Sequence, residues 1–463
     1  MATHKSQPVE LDRLVKYFSR EAFLGNAAWF VGAGASRPSK LVGWVDLLKP
    51  LGADLGIVVE DEDDLPAIAQ YYINRMSGNR GPLIQHLKRA LDVSAVPSVY
   101  HHELARSSVS TIWTTNYDRL IEDALSLAGL RTRVRARDGD MAELGLFDGV
   151  EVIKVHGSFG VSEPHEFVIA KEDYEDFTQN RPATVQRLRS DLLRKCFLFI
   201  GYGYSDPNIR TVLLEARRLA GRAGHSHIML SVEEDPTKVE KAQRQKLWQS
   251  DLRRIGIECV LLPDYSAVEN AIKQITLQSR GPTVYVTGGH EKSSDLAKDV
   301  GTLFAATGSE RPILLDGQSA GVSRDLLFAF QGECVANKID LNKRIRFFPN
   351  PYASNQSFSN DPTLLPMLKE LRRPMLREAH TVLVFDGGMG TQAEVEIAQE
   401  LGCRLIPVPE KRGGLAEKLL RADTLLMEAL DARSPGFVTK ALDLQLTAQD
   451  VIECVLAELP SWP

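Results

Sequence analysis

The stretch AWFVGAGAS, Ala28–Ser36, decides how the rest of the chain is read. Its apolar run ends in Gly-Ala-Gly-Ala-Ser, which reads as a buried strand stopping at a turn of small residues. Small side chains there let backbone amides approach a diphosphate, and a bulky residue would block that approach. The pattern falls short of a full G-x-G-x-x-G, so Gly32 and Gly34 also suit a plain tight turn.

Two further segments follow in order, TTNYD at Thr114–Asp118 and VIKVHGS at Val152–Ser158. Val109–Thr115 reads as a short β-branched strand, so Asn116 emerges at a strand's C-terminal end, where open α/β sheets bind ligands. His156 closes the Val-rich stretch Val150–Val155 and precedes Gly157, which leaves room beside the imidazole. A neutral histidine can accept a proton from a sugar hydroxyl, and an asparagine amide can hold a ribose hydroxyl or a water. Taken singly, each residue also suits a turn cap or a hydrogen-bonded core position. Three strand-end sites in succession argue for a shared pocket.

At these residues the chain resembles the sirtuin superfamily, in which a Gly-Ala-Gly-x-Ser loop, a Thr-x-Asn-x-Asp segment and a His-Gly pair surround NAD. The resemblance runs from Leu11 to Ile275 and includes CFLFIGYGYSDPNIR, Cys196–Arg210. It implies that Gly32, Ala33, Gly34 and Ser36 cradle phosphate, with Gly157, Gly201 and Gly203 also facing the nucleotide. By the same resemblance, Asn116 orients the ribose or the attacking water and His156 acts as a base on ribose hydroxyls. Asp118 either positions Asn116 or caps the helix expected from Arg119, and Asp206 and Asn208 either touch the ligand or cap the next helix. Protein-deacylating sirtuins continue with Gly-Ile-Pro-Asp-Phe-Arg, whereas this chain reads RPSKLVGWVDLL, Arg37–Leu48. They also carry paired Cys-x-x-Cys zinc ligands. Here the five cysteines, Cys196, Cys259, Cys334, Cys403 and Cys454, are widely spaced, so no metal is expected. The implied chemistry is hydrolysis of the nicotinamide–ribose bond, with NAD as substrate. A protein deacylase, an ADP-ribosyl transferase and a non-catalytic nucleotide-sensing scaffold are the alternatives.

A boundary reads near Gln278–Pro282, where QSRGP separates the helical pattern Ala267–Leu277 from a new strand, Thr283–Val286. The expected domains are residues 1–278 and 283–463. Between the first two motifs, helical patterns at Ala67–Met76 and Pro82–Leu91 lie over the pocket, with Tyr71 and Tyr72 expected in the core. Val239–Ile255 spaces Leu, Trp and Ile among Lys, Arg and Gln as an amphipathic helix does.

The second half repeats the theme of strands running into glycines: VYVTGGH at Val284–His290, ILLDG at Ile313–Gly317, RIRFFPN at Arg344–Asn350, TVLVFDGGMGTQAEVEIAQE at Thr381–Glu400 and RLIPVP at Arg404–Pro409. Strands alternating with helices give the expected fold class, α/β with two Rossmann-like domains, each a mostly parallel sheet with helices on both faces. In DGGMGTQAEVEIA, Gly387, Gly388 and Gly390 bare the backbone, Thr391 can cap, and the following helix offers N-terminal amides to an anion. This half resembles the SLOG superfamily, whose Gly-Gly-x-Gly-Thr-x-x-Glu motif is matched by Gly387, Gly388, Gly390, Thr391 and Glu394. In its enzymatic branch a proline precedes the motif and an Arg-Lys pair lies upstream; here Asp386 takes the first place and Leu371-Arg372-Arg373 only approximates the second. That departure favours a sensor over a catalyst, with Gly288 and Gly289 at the same sheet edge. Arg372 and Arg377 either pair with ligand phosphates or are solvent-exposed helix charges.

A sirtuin-like domain followed by a SLOG domain is similar to the NAD-consuming effector family of bacterial Thoeris anti-phage defence. The resemblance implies activation by a cyclic ADP-ribose-type nucleotide made by a TIR-domain partner, and a homotetramer or larger assembly. Bulk properties agree with a globular protein: 43% hydrophobic and 25% charged residues with a net charge of −6. That charge argues against a general nucleic-acid binder. The polar amino terminus MATHKSQPVELDRLVKYFSREAF lacks a secretory apolar core, no run suggests a membrane span, and scattered cysteines fit a reducing cytoplasm.

Overall fold

The computed structural model describes residues 7–60, 63–143, 147–203, 206–221, 226–290, 293–307, 312–350, 363 and 365–462. Tyr204 and Ser205 of the Cys196–Arg210 motif lie outside these. The chain divides into two compact units between Ser279 and Arg280.

In the first unit, seven apolar runs form β1 (Ala27–Val31), β2 (Thr111–Thr114), β3 (Thr132–Arg135), β4 (Val150–Lys154), β5 (Cys196–Ile200), β6 (His227–Val232) and β7 (Ile257–Leu262). They pair in parallel in the order β3-β4-β2-β1-β5-β6-β7. β1 and β5 are buried at every position, as strands covered on both faces must be. Their alternating side chains feed two cores. Trp29 and Val31 join Ile112, Leu198 and Ile200 on one face, while Ala28 and Phe30 join Trp113, Phe197 and Phe199 on the other. The two indoles buried this way keep their N–H groups satisfied, Trp29 donating to Ser107 Oγ and Trp113 to Asp191 Oδ2, each at 3.1 Å.

A separate apolar cluster holds three helices, Trp44–Leu55, Leu65–Arg75 and Gly81–Leu91, against Tyr117, Phe159, Phe167 and Ile169. Tyr72 belongs to this cluster as expected, but Tyr71 is 56% exposed, because successive helical residues point about 100° apart and only one faces the core.

The second unit contains β8 (Thr283–Thr287), β9 (Ile313–Asp316), β10 (Ile345–Phe347), β11 (Thr381–Phe385) and β12 (Arg404–Val408), all parallel in the order β10-β9-β8-β11-β12. Val284, Val286, Leu383 and Phe385 face one core, and Tyr285, Val382 and Val384 the other. Both units are therefore α/β with parallel sheets covered on two faces. Each sheet reverses its winding once. After β4 the chain crosses to β5 on the other side of β1, and after β10 it crosses to β11 on the other side of β8. Open α/β sheets bind ligands beyond such reversals.

At the first reversal the loops leaving β1 and β5 touch backbone to backbone. Gly201 has φ +60°, and a Cβ on it would lie 2.2 Å from the Ala35 nitrogen, whereas a Cβ on the nearby Gly203 would meet nothing. Gly201→Ala should cost about 2 kcal/mol or more, combining a left-handed backbone with a backbone clash. Urea unfolding should show a clear fall in midpoint for Gly201→Ala and little change for Gly203→Ala.

Candidate active site

Three strand ends deliver the nominated residues to one edge of the first sheet. Thr114 Oγ1, at the end of β2, donates to the Val31 carbonyl at 2.8 Å and accepts the Asn116 N–H at 3.0 Å. This one hydroxyl ties the Asn116 turn to the end of β1. The Asn116 amide then donates through Nδ2 to Gly32 O and Ser36 Oγ, both at 3.2 Å. Ser36 Oγ donates to Asp118 Oδ2 at 3.0 Å, and Asp118 Oδ1 accepts the Leu120 N–H at 3.1 Å. Asp118 thus caps the helix Leu120–Leu127 and reaches Asn116 only through Ser36.

The glycine loop is braced from both sides. Gly32 N donates to Ile200 O at 3.0 Å and Gly34 N to Gly201 O at 2.8 Å. A Cβ on Gly32 or Gly34 would lie under 3 Å from the Gly201–Tyr202 backbone. Those two amides are therefore engaged with the loop after β5, and a short 3₁₀ segment runs from Ala33 to Ser39.

Beneath the loop, the fully buried Lys154 donates to the Asp118 carbonyl and pairs with Glu122 Oε1 at 2.8 Å. A charge so deeply buried needs that partner. At the start of the helix Val99–Arg106, Ser98 Oγ donates to Ala35 O at 2.8 Å, while the Ser98 N–H donates to His101 Nδ1 at 3.0 Å. Neither Lys154 nor His101 stands out in the sequence, because nothing in a strand's last residue or a helix's first turn announces what lies across the fold.

His156, 3% exposed, sits in an aromatic niche. Tyr174 and Phe177 meet the imidazole edge-on with ring centres 5.5 and 6.5 Å away, and Tyr117 lies at 6.4 Å. Burial pushes the phenols of Tyr117 and Tyr174 well above the ordinary tyrosine range, and Asp206 adds to the shift at Tyr174. They are neutral walls. Asp206 Oδ2 lies 2.8 Å from His156 Nε2, an ion-pair approach without the alignment of a full hydrogen bond. Its other oxygen caps the helix Pro207–Ala220 by accepting the N–H groups of Asn208 and Ile209, at 2.8 and 3.1 Å. Of the two roles the sequence left open for Asp206, the structure shows the helix cap, and it adds the approach to His156. Asn208 is drawn away, donating through Nδ2 to the Tyr174 carbonyl. Gly157 has φ +99° and packs on Phe167 and Ser162, which its missing side chain permits.

Four buried polar atoms at this edge lack a hydrogen-bond partner: Asn116 Oδ1, both His156 nitrogens and Asp206 Oδ2, of which His156 Nε2 and Asp206 Oδ2 face each other. Native proteins rarely leave such atoms unpaired, and unpaired ones point to what binds there. A cavity of about 440 Å³ is lined by Phe177 together with Asp138, His165, Glu166, Asp173 and Arg181. Three carboxylates repel a diphosphate, and both terminal nitrogens of Arg181 are already spent on the carbonyls of Ala136 and Glu166. The cavity is a poor phosphate site.

In the second unit, Gly288 and Gly289 follow β8 and Asp386–Gly390 follows β11. Gly289 N donates to Asp386 O at 2.9 Å, and a Cβ on Gly387 would strike the buried Thr391 hydroxyl. Gly388 precedes the helix Met389–Glu400 and faces open space, and Gly390 lies in its first turn. Asp386 accepts from the N–H groups of Glu410, Lys411 and Ala416, each at 3.1 Å, and so anchors the loop after β12. Glu394 is buried, accepting from Thr287 Oγ1 and pairing with Arg372 Nε at 3.1 Å. Arg372 also donates to Gly317 O at 2.7 Å and Ser319 Oγ at 2.9 Å. It is not the exposed helix charge that was one expectation, since the helix Leu365–Glu378 turns that face onto the loop after β9. Arg377 is not brought to the glycine loop. It lies in the helix's last turn beside Arg280, at the edge where β8 and β11 begin, and burial and then Arg280 push its guanidinium down to about 10.

All five cysteines are free and buried, and among the described residues no cluster of three or more His, Cys, Asp or Glu could hold a metal. Among those residues no helix is long and apolar enough to cross a membrane.

A family model for a SIR2-like domain matches residues 110–254. The chain is 33% identical over 291 residues to the NAD(+) hydrolase ThsA of Bacillus cereus (strain MSX-D12), covering 61% of this chain and 60% of that one. It is 28% identical over 441 residues, 87% of each chain, to the NAD(+) hydrolase ThsA of Acinetobacter baumannii (strain 532279). It is also 27% identical over 299 residues to the Defense-associated sirtuin 2 of Bacillus subtilis, of which it spans 29%.

The Ser98–His101 turn that holds Ala35 carries a pH dependence. Burial first, then His102 and Lys154, pushes the His101 imidazole down to about 4. Its folded value lies below the unfolded value of about 6.5, so the unfolded chain takes up the proton first. The stability is complete above about pH 6.5 and is lost as pH falls towards 4, roughly 2 kcal/mol of it by pH 5. Urea unfolding followed by tryptophan fluorescence should show a smaller drop between pH 7 and pH 5 for His101→Gln than for the parent chain.

Proposed function

We propose that this chain, which carries a SIR2-like domain and resembles the ThsA NAD(+) hydrolases, cleaves NAD at the nicotinamide–ribose bond to give nicotinamide and ADP-ribose. The observation that carries the reading is the pair of buried, unpartnered acceptors, Asn116 Oδ1 and His156 Nδ1, at one sheet edge. Nicotinamide leaves as a neutral molecule, which gives the ribose oxocarbenium character. Water then forms the new C–O bond and gives its proton to the ribose oxygen that His156 deprotonated, so that one proton leaves through the imidazolium. Asn116 Oδ1 accepts a hydrogen bond from that water or a ribose hydroxyl, and His156 accepts a proton from the ribose. Ser36 and Asp118 hold the asparagine amide so that only its oxygen is free. Ala33 and the short segment it opens would supply the diphosphate end, with Gly32 and Gly34 fixing that turn against the loop after β5. The wide spacing of the five cysteines supports a reading without the paired zinc ligands of protein deacylases.

We further propose that the second unit is a nucleotide sensor of the SLOG type. Gly288, Gly289 and the Asp386–Thr391 loop would take a cyclic ADP-ribose-type nucleotide made by a TIR-domain partner, and its binding would switch on NAD hydrolysis and deplete NAD in anti-phage defence. The reading is supported by the helix Met389–Glu400, which opens onto glycines at the sheet reversal, and by the buried Arg372–Glu394 pair beneath them. Moving a population from 1:99 to 99:1 needs about 5.5 kcal/mol of differential affinity. Several identical sites share that demand more readily than one, which favours a cytoplasmic homotetramer or larger assembly.

Asn116→Ala and His156→Ala should each lower nicotinamide release from NAD by about 10²–10⁴-fold with unchanged circular dichroism. Undiminished turnover in both would remove the site. Gly388→Trp adds its side chain into open space, so it should fold, bind NAD by calorimetry and lose stimulation by cyclic ADP-ribose isomers. A normal response would place the sensor elsewhere.

A further inference from the structure

Asp206 has no part in the reaction as described so far, yet it is the one carboxylate against His156. Its surroundings divide its two oxygens between two tasks. Oδ1 is held by two helix amides, which fixes the side chain's rotamer. Oδ2, in a residue 8% exposed, has no hydrogen-bond donor and stands 2.8 Å from His156 Nε2. Tyr174 and Phe177 meet the imidazole edge-on and restrict its rotation. A carboxylate oxygen and a nitrogen lone pair repel at this distance, so the ring nitrogen facing Asp206 must carry the proton. The lone pair then falls on Nδ1, which is buried and, unlike Nε2, has no charged group against it.

We infer that Asp206 is a positioning residue that keeps His156 in the Nε2–H tautomer, leaving Nδ1 as the proton acceptor, and that its negative charge stabilises the imidazolium formed when Nδ1 takes a proton from a ribose hydroxyl. The inference rests on the base role of His156 proposed above. No atom is transferred to Asp206. The ribose O–H bond breaks, the Nδ1–H bond forms, and the Nε2–H bond stays. The helix Pro207–Ala220 sets the carboxylate in place, so the capping turn and the base are mechanically linked. A neutral amide at this position reverses the logic. Asparagine caps as well as aspartate and keeps an oxygen for the helix amides, but it turns an N–H₂ towards Nε2. Nε2 must then accept, the proton moves to Nδ1, and the acceptor is lost. In serine-protease triads the corresponding aspartate-to-asparagine change keeps the geometry and lowers kcat about 10⁴-fold through the wrong tautomer.

The test uses the full chain labelled with ¹⁵N-histidine, with the His156 signal assigned by its disappearance in His156→Gln. Long-range ¹H–¹⁵N correlation at neutral pH distinguishes the two tautomers without any substrate. The expected result is the Nε2–H form in the parent chain, the Nδ1–H form in Asp206→Asn, and kcat for nicotinamide release reduced by about 10²–10⁴-fold in that variant with little change in KM. Asp206→Ser, which also caps the helix but carries no charge or amide, should show a mixture of both forms and an intermediate kcat. An Nδ1–H form in the parent chain, or an unchanged tautomer in Asp206→Asn, overturns the inference. So does unchanged kcat in Asp206→Asn when His156→Gln is inactive. If His156→Gln itself turns over normally, the base reading fails instead, and the tautomer result separates the two outcomes.

Discussion

The close approach of the loops after β1 and β5 is the constraint on which the first unit's site depends. Gly32 and Gly34 lie so near Gly201 that a methyl group on any of the three would collide with backbone. This contact lets the Ile200 and Gly201 carbonyls accept the loop's amides and stiffens a turn that would otherwise be free to move. Once the turn is rigid, Gly32 O and Ser36 Oγ become fixed acceptors for the Asn116 amide, and the asparagine's remaining oxygen has only one direction to face. A looser turn would leave the amide free to rotate and satisfy itself elsewhere.

Satisfied and unsatisfied polar groups are sorted with some economy around this edge. Thr114, Ser36, Asp118, Lys154 and Glu122 form a connected set in which nearly every buried donor has an acceptor. Buried networks of this kind hold geometry at the expense of desolvation, and a half-made one is worse than none. The exceptions include Asn116 Oδ1, both His156 nitrogens, Asp206 Oδ2 and Glu122 Oε2, and the proposed hydrolysis calls on the first two residues. Aromatic walls around His156 exclude water from the niche and strengthen the effect of the single nearby carboxylate.

The second unit uses the same device with different parts. Glycines after β8 and β11 approach each other across the sheet reversal, and Asp386 pins the loop after β12 with three backbone amides. The ion pair below differs in kind. Arg372 and Glu394 neutralise each other in a buried setting together with Thr287, Gly317 and Ser319, so a phosphate arriving above them meets a site whose net charge is small. Its attraction would come chiefly from the helix amides and from any rearrangement of that pair.

Much of this was legible in the sequence, because some signals are local. Alternating apolar and small residues at Ala28–Ser36, the strand ends at Asn116 and His156, and the glycines after Val286 and Phe385 each declare a strand running into a turn, and a parallel α/β fold follows from their repetition. β3, β6 and β7 were not read: Thr132–Arg135 is half polar and the other two sit at one flank without a glycine turn to mark them. Partnerships across the fold were also out of reach. That Asp206 would serve His156 while capping a helix, that Lys154 would lie beneath Asp118, that Arg372 would turn inward and Arg377 stay at the opposite edge all depend on which loops meet at a sheet's reversal. The sequence determines residue types and their spacing along the chain, but hydrogen bonds between positions tens of residues apart exist only once strand order has brought those loops together. That is why the tertiary structure alone decided which nitrogen of His156 faces Asp206 and that the Asn116 side-chain oxygen is left without a partner.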